Sequence, residues 1–240
     1  RLGHFYRGLG LTVLEGYGLT ETTAGATLNV PGAIKIGSVG RPVFGTQVRL
    51  DTDDEILLKG HHIFAGYWNN SEATAEVMAP DGWFRSGDVG RIDDDGFLYI
   101  TGRKKELLVT SGGKNVAPAV LEDRLRANPV ISQCVVVGDG RSYIAALITL
   151  DQEALPGILQ RAGIESAPME QLVYDTRVRA LVQEAVNSAN EAVSNSEAIK
   201  KFAILPVDLT IENGYLTPKM SIKRHLVNQD FAADIEALYR

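Results

Sequence analysis

Apolar and polar positions follow one rhythm up to residue 103 and another after it. In the first stretch the runs are short, β-rich and closed by turn residues. L-T-V-L-E-G-Y-G-L at 11–19 is such a run and ends in a glycine turn. Residues 46–50 alternate and E-I-L-L-K-G follows at 55–60, with Gly37, Gly40, Gly45 and the acidic stretch Asp51 to Asp54 supplying turns. N-S-E-A-T-A-E-V-M at 70–78 reads as a short helix capped by Asn70 or Ser71. W-F-R-S-G-D-V-G-R-I and G-F-L-Y-I-T flank D-D-D-G at 93–96, and an Asp-Gly step between two apolar runs predicts a hairpin. These aspartates lack the alternate-position ligands of a calcium loop, so a turn is the plainer reading.

After residue 103, K-K-E-L-L-V-T-S-G-G reads as a strand or hairpin arm. Residues 117–127 are helical, with Pro118 in the first turn and Val120, Leu121 and Leu125 on one face. Residues 131–138 and 143–150 are strands around D-G-R-S, and residues 151–162 and 168–203 are helical. In the second helix Val178, Leu181, Val182, Ala185, Val186, Ala189 and Val193 recur at three and four, a packing stripe. Residues 208–216 alternate, and a last helix is expected at 228–239. This order predicts a small α+β domain of about 135 residues, large enough for its own core.

Composition narrows the function classes. The chain is 45% hydrophobic and 22% charged, ordinary for a globular protein. Its 24 Lys and Arg against 30 Asp and Glu give a net charge of −6, without the basic footprint that nucleic-acid binding needs. The single cysteine, Cys134, excludes an internal disulfide and a Cys-based zinc site, and in V-I-S-Q-C-V-V-V-G it reads as a buried, inert thiol. No apolar run reaches the roughly 18 residues of a membrane span. The chain opens on R-L-G-H-F-Y-R-G-L-G, like the end of a helix already in progress, with no initiator Met and no signal pattern. A fragment of a longer protein is therefore expected.

Four stretches carry candidate chemistry. In E-G-Y-G-L-T-E at 15–21, Gly16 and Gly18 allow close backbone approach, Tyr17 offers a flat face, Thr20 a hydroxyl and Glu21 a hard carboxylate suited to Mg²⁺. A plain tight turn is the competing reading. In S-G-D-V-G at 86–90, Asp88 is either a turn residue or an acceptor for two hydroxyls at once. In T-G-R-K-K-E at 101–106, Arg103 is part of a solvated cationic face or a fork for ribose or phosphate oxygens. In L-T-P-K-M-S-I-K-R at 216–224, Lys219, Lys223 and Arg224 form a basic loop or deliver a lysine to a phosphate. Other chemistries fail. His4, His61, His62 and His225 lack metal spacing, no nucleophile elbow is present, and S-G-G-K-N at 111–115 lacks the Ser or Thr that follows a P-loop lysine.

Taken in order, E-G-Y-G-L-T-E-T, I-G-S-V-G-R-P, G-Y-W-N-N-S-E-A-T, D-G-W-F-R-S-G-D-V-G, G-F-L-Y-I-T-G-R-K-K-E-L-L-V-T-S-G-G-K-N-V-A-P and N-G-Y-L-T-P resemble, over essentially the whole chain, the C-terminal half of an acyl-adenylate-forming enzyme. That superfamily holds acyl-CoA synthetases, peptide-synthetase adenylation domains and firefly luciferase, and the long-chain fatty acyl-CoA synthetases look most similar. The resemblance implies an α/β and α+β protein. Residues 1–103 would be the distal, β-barrel-containing part of the large AMP-binding domain, and residues 104–240 the mobile C-terminal α+β domain. It implies an AMP-forming acid–thiol ligase that uses ATP, Mg²⁺ and CoA on a long-chain fatty acid. By resemblance, Gly16, Tyr17 and Gly18 line the adenine, Thr20 contacts phosphate, and Glu21 helps to hold Mg²⁺. Asp88 grips both ribose hydroxyls and Arg103 contacts ribose and phosphate oxygens, with Ile100 in the same cofactor-binding set. Lys105 falls at the domain hinge, and Gly112 and Gly113 line the CoA-side tunnel.

Two departures shape the expectation. The family's Ser/Thr/Gly-rich phosphate loop has no counterpart in these residues, so this chain alone should not adenylate a carboxylate. In the frame of the adenylation lysine stands Ser221, and Lys219 is the expected substitute with Lys223 second, on the premise that an extended segment puts residues two apart on one face. The alternatives are a fatty acyl-AMP ligase, another carboxylate-activating relative, or a non-catalytic nucleotide- or partner-binding module. A scaffold has no need of Thr20, Glu21, Asp88 and Arg103. Residues 1–35 are expected to expose apolar surface, leading to dimerisation or poor order. The expected location is cytoplasmic, with peripheral membrane contact left open.

Overall fold

Two runs of backbone pairing divide the chain into two compact units, Arg1–Lys105 and Glu106–Arg240. The computed structural model describes residues 2–240.

The first unit begins with helix α1 (Leu2–Gly8), none of whose residues is buried. Leu2, Phe5, Leu9, Leu11, Val13 and Leu14 are all exposed, the apolar surface expected of this region. An antiparallel sheet follows, β1 (Gly16–Leu19), β2 (Ala24–Leu28) and β3 (Arg41–Pro42), with a 3-10 turn at Thr20–Thr22 between the first two strands. The strand expected over 11–19 is confined to its last four residues. A four-stranded antiparallel meander comes next: β4 (Gln47–Leu50), β5 (Glu55–Lys59), β6 (Phe84–Ile92) and β7 (Leu98–Arg103). Helix α2 (Ser71–Val77) interrupts it, its Ala73 amide donating to Asn70 Oδ1 at 3.0 Å as the sequence suggests. The D-D-D-G segment is the β6–β7 turn: Asp93 Oδ1 accepts from the amides of Asp95 and Phe97. The backbone bonds Val39 N–H to Leu98 O (2.8 Å) and Leu98 N–H to Gly40 O (2.9 Å) join the two sheets, which curl around Ala26, Ile56, Leu58, Phe84 and Leu98.

The second unit opens with a small hairpin, β8 (Leu108–Val109) and β9 (Asn115–Val116), then helix α3 (Pro118–Arg126). Its sheet runs β10 (Ile131–Val137), β11 (Ile144–Leu150), β12 (Ile199–Ile204), antiparallel then parallel. All seven residues of β11 are buried, because both faces of the sheet are covered. Cys134, Val136, Ala146 and Ile148 face one cluster with Leu121, Leu125, Val178 and Val182. Val135, Val137, Ala145 and Leu147 face the other, with Leu205, Leu209, Val227 and Leu238. Cys134 is fully buried and burial pushes its thiol well above the usual range, consistent with an inert core residue.

Four expectations are corrected here. The stretch 168–203 is not one helix: α5 (Met169–Leu172) and α6 (Thr176–Asn190) are separated by Asp175, which caps α6 through a bond from the Arg177 amide. A Ser194–Glu197 turn then reverses the chain, and Ile199–Ile204 is a strand, because its apolar side chains complete the sheet beside β11. The earlier helix, α4 (Leu155–Ala162), starts four residues late, since Asp151 Oδ1 caps the amides of Glu153 and Ala154. Residues 208–216 form no strand, and the final helix is two, α7 (Arg224–Asp230) and α8 (Ala232–Leu238), broken at Phe231.

One pH dependence follows from the ion pairs. The Lys35 ammonium at 2.6 Å holds the Asp93 carboxyl at about 2, and Arg177 holds Asp175 at about 2. Both lie below the unfolded value of about 3.9, so their stabilisation is present above about pH 4 and is lost as the pH falls toward 2. The thermal midpoint should therefore drop over that window, and an Asp93→Asn, Asp175→Asn double variant should show a flatter dependence. An equal slope in both proteins would contradict this.

Candidate functional site

Asp88 is the centre of the site in the first unit. It lies mid-strand on β6 and is buried. Three features put its carboxylate in place. Gly87 takes φ +71°, Ser86 Oγ donates to Ile56 O at 2.7 Å, and Ser86 Oγ accepts from the Asp88 amide at 3.1 Å. Glu55, itself buried at the start of β5, accepts from the Gly87 amide at 3.1 Å. Lys104 neutralises that buried carboxylate at 2.7 Å and reaches Asp53 at 2.6 Å. Asp51, Asp53 and Glu55 cluster closely, and Lys104 pairs with two of them, Asp53 and Glu55.

Two predicted residues converge on Asp88. The Tyr17 hydroxyl, on β1, donates to Asp88 Oδ2 at 2.6 Å, and Arg103 Nε lies 3.6 Å from Asp88 Oδ1. Burial, with the bond to Asp88 added to it, pushes the Tyr17 phenol well above its ordinary range, so it is a donor throughout neutral pH. Arg103 is the cross-strand partner of Asp88. A carboxylate has about four acceptor positions, so Asp88 keeps capacity for two further donors after Tyr17 is bound. Ile100 pairs with Gly90 and packs at the edge of the cluster that also holds Tyr17 and Leu19.

Glu21 belongs to a different pairing. It follows exposed Thr20 in the 3-10 turn, and Tyr67 donates to its Oε1 at 2.8 Å. The Phe64 amide donates to Glu21 O at 2.8 Å and Thr23 Oγ1 to His62 O at 2.7 Å, so residues 62–67 brace the turn. Among the described residues Glu21 Oε2 has no protein partner, and one hard oxygen of this kind suits Mg²⁺ shared with substrate phosphates. Tyr67, Glu55 and Lys104 were not singled out from sequence. Their partners lie 46 and 49 residues away in the chain, and no local pattern marks such pairs.

Gly18 has a reason of its own: a Cβ there would meet Ala24 O at 1.7 Å. The chain's own backbone requires that glycine, whatever else the segment contacts. Gly112 and Gly113 differ. Neither would meet anything closer than 3.9 Å, and they sit in the β8–β9 turn braced by Ser111 N–H to Arg141 O at 2.8 Å. Lys105 is exposed in the 3-10 turn Lys104–Glu106.

The segment carrying Lys219 is not extended, which corrects the premise behind that choice. Thr217 N–H to Ser221 O (2.8 Å), Lys223 N–H to Tyr215 O (2.8 Å) and the Leu216–Ile222 bridge make a narrow hairpin. Met220 N–H bonds Thr217 O at 2.8 Å and Met220 takes φ +62°, a type I turn closed by a left-handed residue. Lys219 stands at the exposed tip, Ser221 on the returning arm and Lys223 at the start of α7.

Comparison with known proteins identifies the family. The family described as AMP-binding enzyme matches residues 1–68, and the one described as AMP-binding enzyme C-terminal domain matches residues 105–240. A long-chain-fatty-acid–CoA ligase of Mycobacterium tuberculosis, FadD15, is 55% identical over 240 residues, all of this chain and 40% of the relative. The human long-chain-fatty-acid–CoA ligase ACSBG1 is 35% identical over 260 residues, 99% of this chain and 36% of that protein. The chain thus spans about 40% of the length of such relatives. Among solved structures, O-succinylbenzoate coenzyme A synthetase of Bacillus subtilis, in complex with ATP and magnesium ion, has a TM-score of 0.67 at 24% identity, over 93% of this chain and 43% of that one. The adenylation domain of a carboxylate reductase of Mycobacterium chelonae reaches 0.73 at 23% identity, over 98% and 36%. These two share the fold. With both halves of the chain matched, this protein belongs to the AMP-binding enzyme family.

Proposed function

We propose that this chain is the C-terminal part of an ATP-dependent long-chain fatty acid–CoA ligase. The observation that carries the reading is Asp88: a buried carboxylate, oriented by Tyr17 and Arg103, with acceptor capacity for a vicinal diol. In the first step the fatty acid carboxylate attacks the α-phosphorus of ATP, an acyl–O–P bond forms, and pyrophosphate leaves. In the second the CoA thiol loses its proton, attacks the acyl carbonyl and expels AMP. Asp88 accepts the ribose hydroxyls, Tyr17 lies by the base while fixing Asp88, and Arg103 donates to ribose and phosphate oxygens. Thr20 donates its hydroxyl to phosphate. Glu21 would hold Mg²⁺, which would supply charge neutralisation at the phosphates. Lys219, long and at a hairpin tip, supplies the cation for the first step. Lys105 lies at the joint between the two units, and the bare backbone at Gly112 and Gly113 admits the CoA arm.

The test is fatty-acid-dependent exchange between ATP and pyrophosphate, with CoA-dependent AMP release, in the full-length protein. Exchange should require a long-chain fatty acid, and AMP release should require CoA. The 240-residue chain by itself should exchange nothing. A full-length protein without fatty-acid-dependent exchange would overturn the proposal, and transfer of the acyl group to a carrier protein in place of CoA, with AMP released, would move it to the fatty acyl-AMP ligases.

A further inference from the structure

An ion pair in the second unit between a buried carboxylate and a half-buried guanidinium has no part in the chemistry above. Glu122, on α3, is 3% exposed. Its Oε1 accepts from the Val136 amide at 2.8 Å, and its Oε2 accepts from Arg224 Nη2 at 2.5 Å. Arg224 Nη1 donates in turn to Val136 O at 3.4 Å. Strand β10 is an edge of its sheet, so some of its peptides face away from β11. At Val136 both polar groups of the outward face are taken by one carboxylate and one guanidinium, in the place where a further strand would pair.

Such a pair is a poor device for stability alone, because taking the Glu122 carboxylate out of water, and the Arg224 guanidinium partly so, offsets much of their attraction. What it provides is orientation. A guanidinium held by a carboxylate and a carbonyl has one orientation, whereas apolar packing tolerates sliding and rotation. Arg224 is the first residue of α7, and Lys223 just before it closes the hairpin on Tyr215 O at 2.8 Å. Lys219 is the middle residue of that hairpin's three-residue loop, Pro218 to Met220. A short, doubly fixed lever therefore runs from Val136 through Arg224 to the hairpin tip. Tyr215 and Ile222 pack against the second cluster and set the depth of the hairpin, and the Tyr215 hydroxyl donates to Asp230 Oδ2 at 3.0 Å at its base, on the side away from the tip.

We propose that Glu122 and Arg224 are positioning residues for Lys219, fixing the hairpin so that its ammonium meets the nucleotide in the adenylation step. The proposal rests on the reading of Lys219 given above. The two half-reactions separate it from general damage. Adenylation, followed by ATP–pyrophosphate exchange, needs the lysine. Thioester formation, followed from pre-formed acyl-AMP and CoA, does not.

In the full-length protein, Glu122→Gln still accepts from Val136 but turns an amide donor toward Arg224. It should slow exchange by about tenfold or more and leave the thioester step within about twofold of the parent. Lys219→Ala, measured beside it, should show the same split. If Lys219→Ala leaves exchange unchanged, the lysine assignment fails and this proposal falls with it. If Lys219→Ala slows exchange and Glu122→Gln does not, the positioning role alone is rejected. If Glu122→Gln slows both half-reactions equally, the pair is a general structural element and the proposal is again overturned. Should Glu122→Gln not accumulate as folded protein, Arg224→Lys carries the same comparison, since a lysine keeps the charge and loses the fork.

Discussion

A Gly18→Ala variant is expected to lose most of the stability of the first unit. The added Cβ would lie 1.7 Å from Ala24 O, 2.6 Å from Ala24 C and 2.9 Å from Gly25 Cα, all backbone atoms. Ala24 O cannot withdraw freely, because it accepts from Thr22 Oγ1 at 2.8 Å, and the same oxygen of Thr22 accepts from the Leu19 amide at 2.8 Å. Relief requires separating β1 from β2 at the bulge beside Tyr17 and Gly18. Losses above about 4 kcal/mol are exceptional for one substitution, and backbone overlap of this degree belongs in that class. Domains of this size hold only about 5–15 kcal/mol in total. Gly37 provides the contrast: φ is +90° but nothing lies within 4 Å, so alanine there should cost about 1–2 kcal/mol from backbone strain alone. Both tryptophans, Trp68 and Trp83, lie in the first unit, so urea unfolding followed by their fluorescence reports on it. A Gly18→Ala midpoint equal to that of Gly37→Ala would refute the packing argument.

What could be read in the sequence was local. The turn at 93–96, the Asn70 cap and the Pro118 helix start are each specified by residues within one turn of one another. The strand at Ile199–Ile204 was not legible, because I-K-K-F-A-I fits a helical stripe as well as a sheet. Only pairing with β11, some fifty residues earlier, decides between them. The same limit held at the site. From the turn alone, β6 and β7 pair Ile92 with Leu98 and Gly90 with Ile100. Continued without interruption, that register would set Arg103 across from Gly87. An extra residue on β7, Thr101, shifts the pairing so that Arg103 stands opposite Asp88. Asp88, Arg103 and Tyr17 could each be picked out from sequence as polar residues beside glycines. Their meeting depends on that bulge and on a contact spanning 71 residues. For Lys219 the sequence suggested an extended arm, and the left-handed Met220 turned it into a hairpin tip. A residue with a side chain at positive φ leaves little trace in composition.

Asp88→Ala in the full-length protein should raise the KM for ATP by about a hundredfold with little change in fold. Two hydroxyls accepted by one carboxylate are two charge-assisted hydrogen bonds, each worth about 1.5–3 kcal/mol, and about 1.4 kcal/mol corresponds to a factor of ten. The lower end of that range already gives a hundredfold. The structural cost is smaller. Removing the carboxylate orphans the Tyr17 hydroxyl, bonded at 2.6 Å, and leaves Arg103, which is exposed enough to find water. The strand itself is held by Ser86 and Glu55 through backbone groups that the substitution leaves in place. Tyr17→Phe separates the two contributions. It keeps the ring and the carboxylate and removes only the donor that aims Asp88 Oδ2, so its effect on KM should be several-fold, well short of Asp88→Ala. Thermal unfolding of both variants shows whether a change in KM reflects the site or the fold. If Asp88→Ala binds ATP as tightly as the parent while unfolding at the same temperature, Asp88 is a structural turn residue and the nucleotide lies elsewhere. If Tyr17→Phe is as severe as Asp88→Ala, the phenol itself contacts the nucleotide, and orienting Asp88 is not its main role.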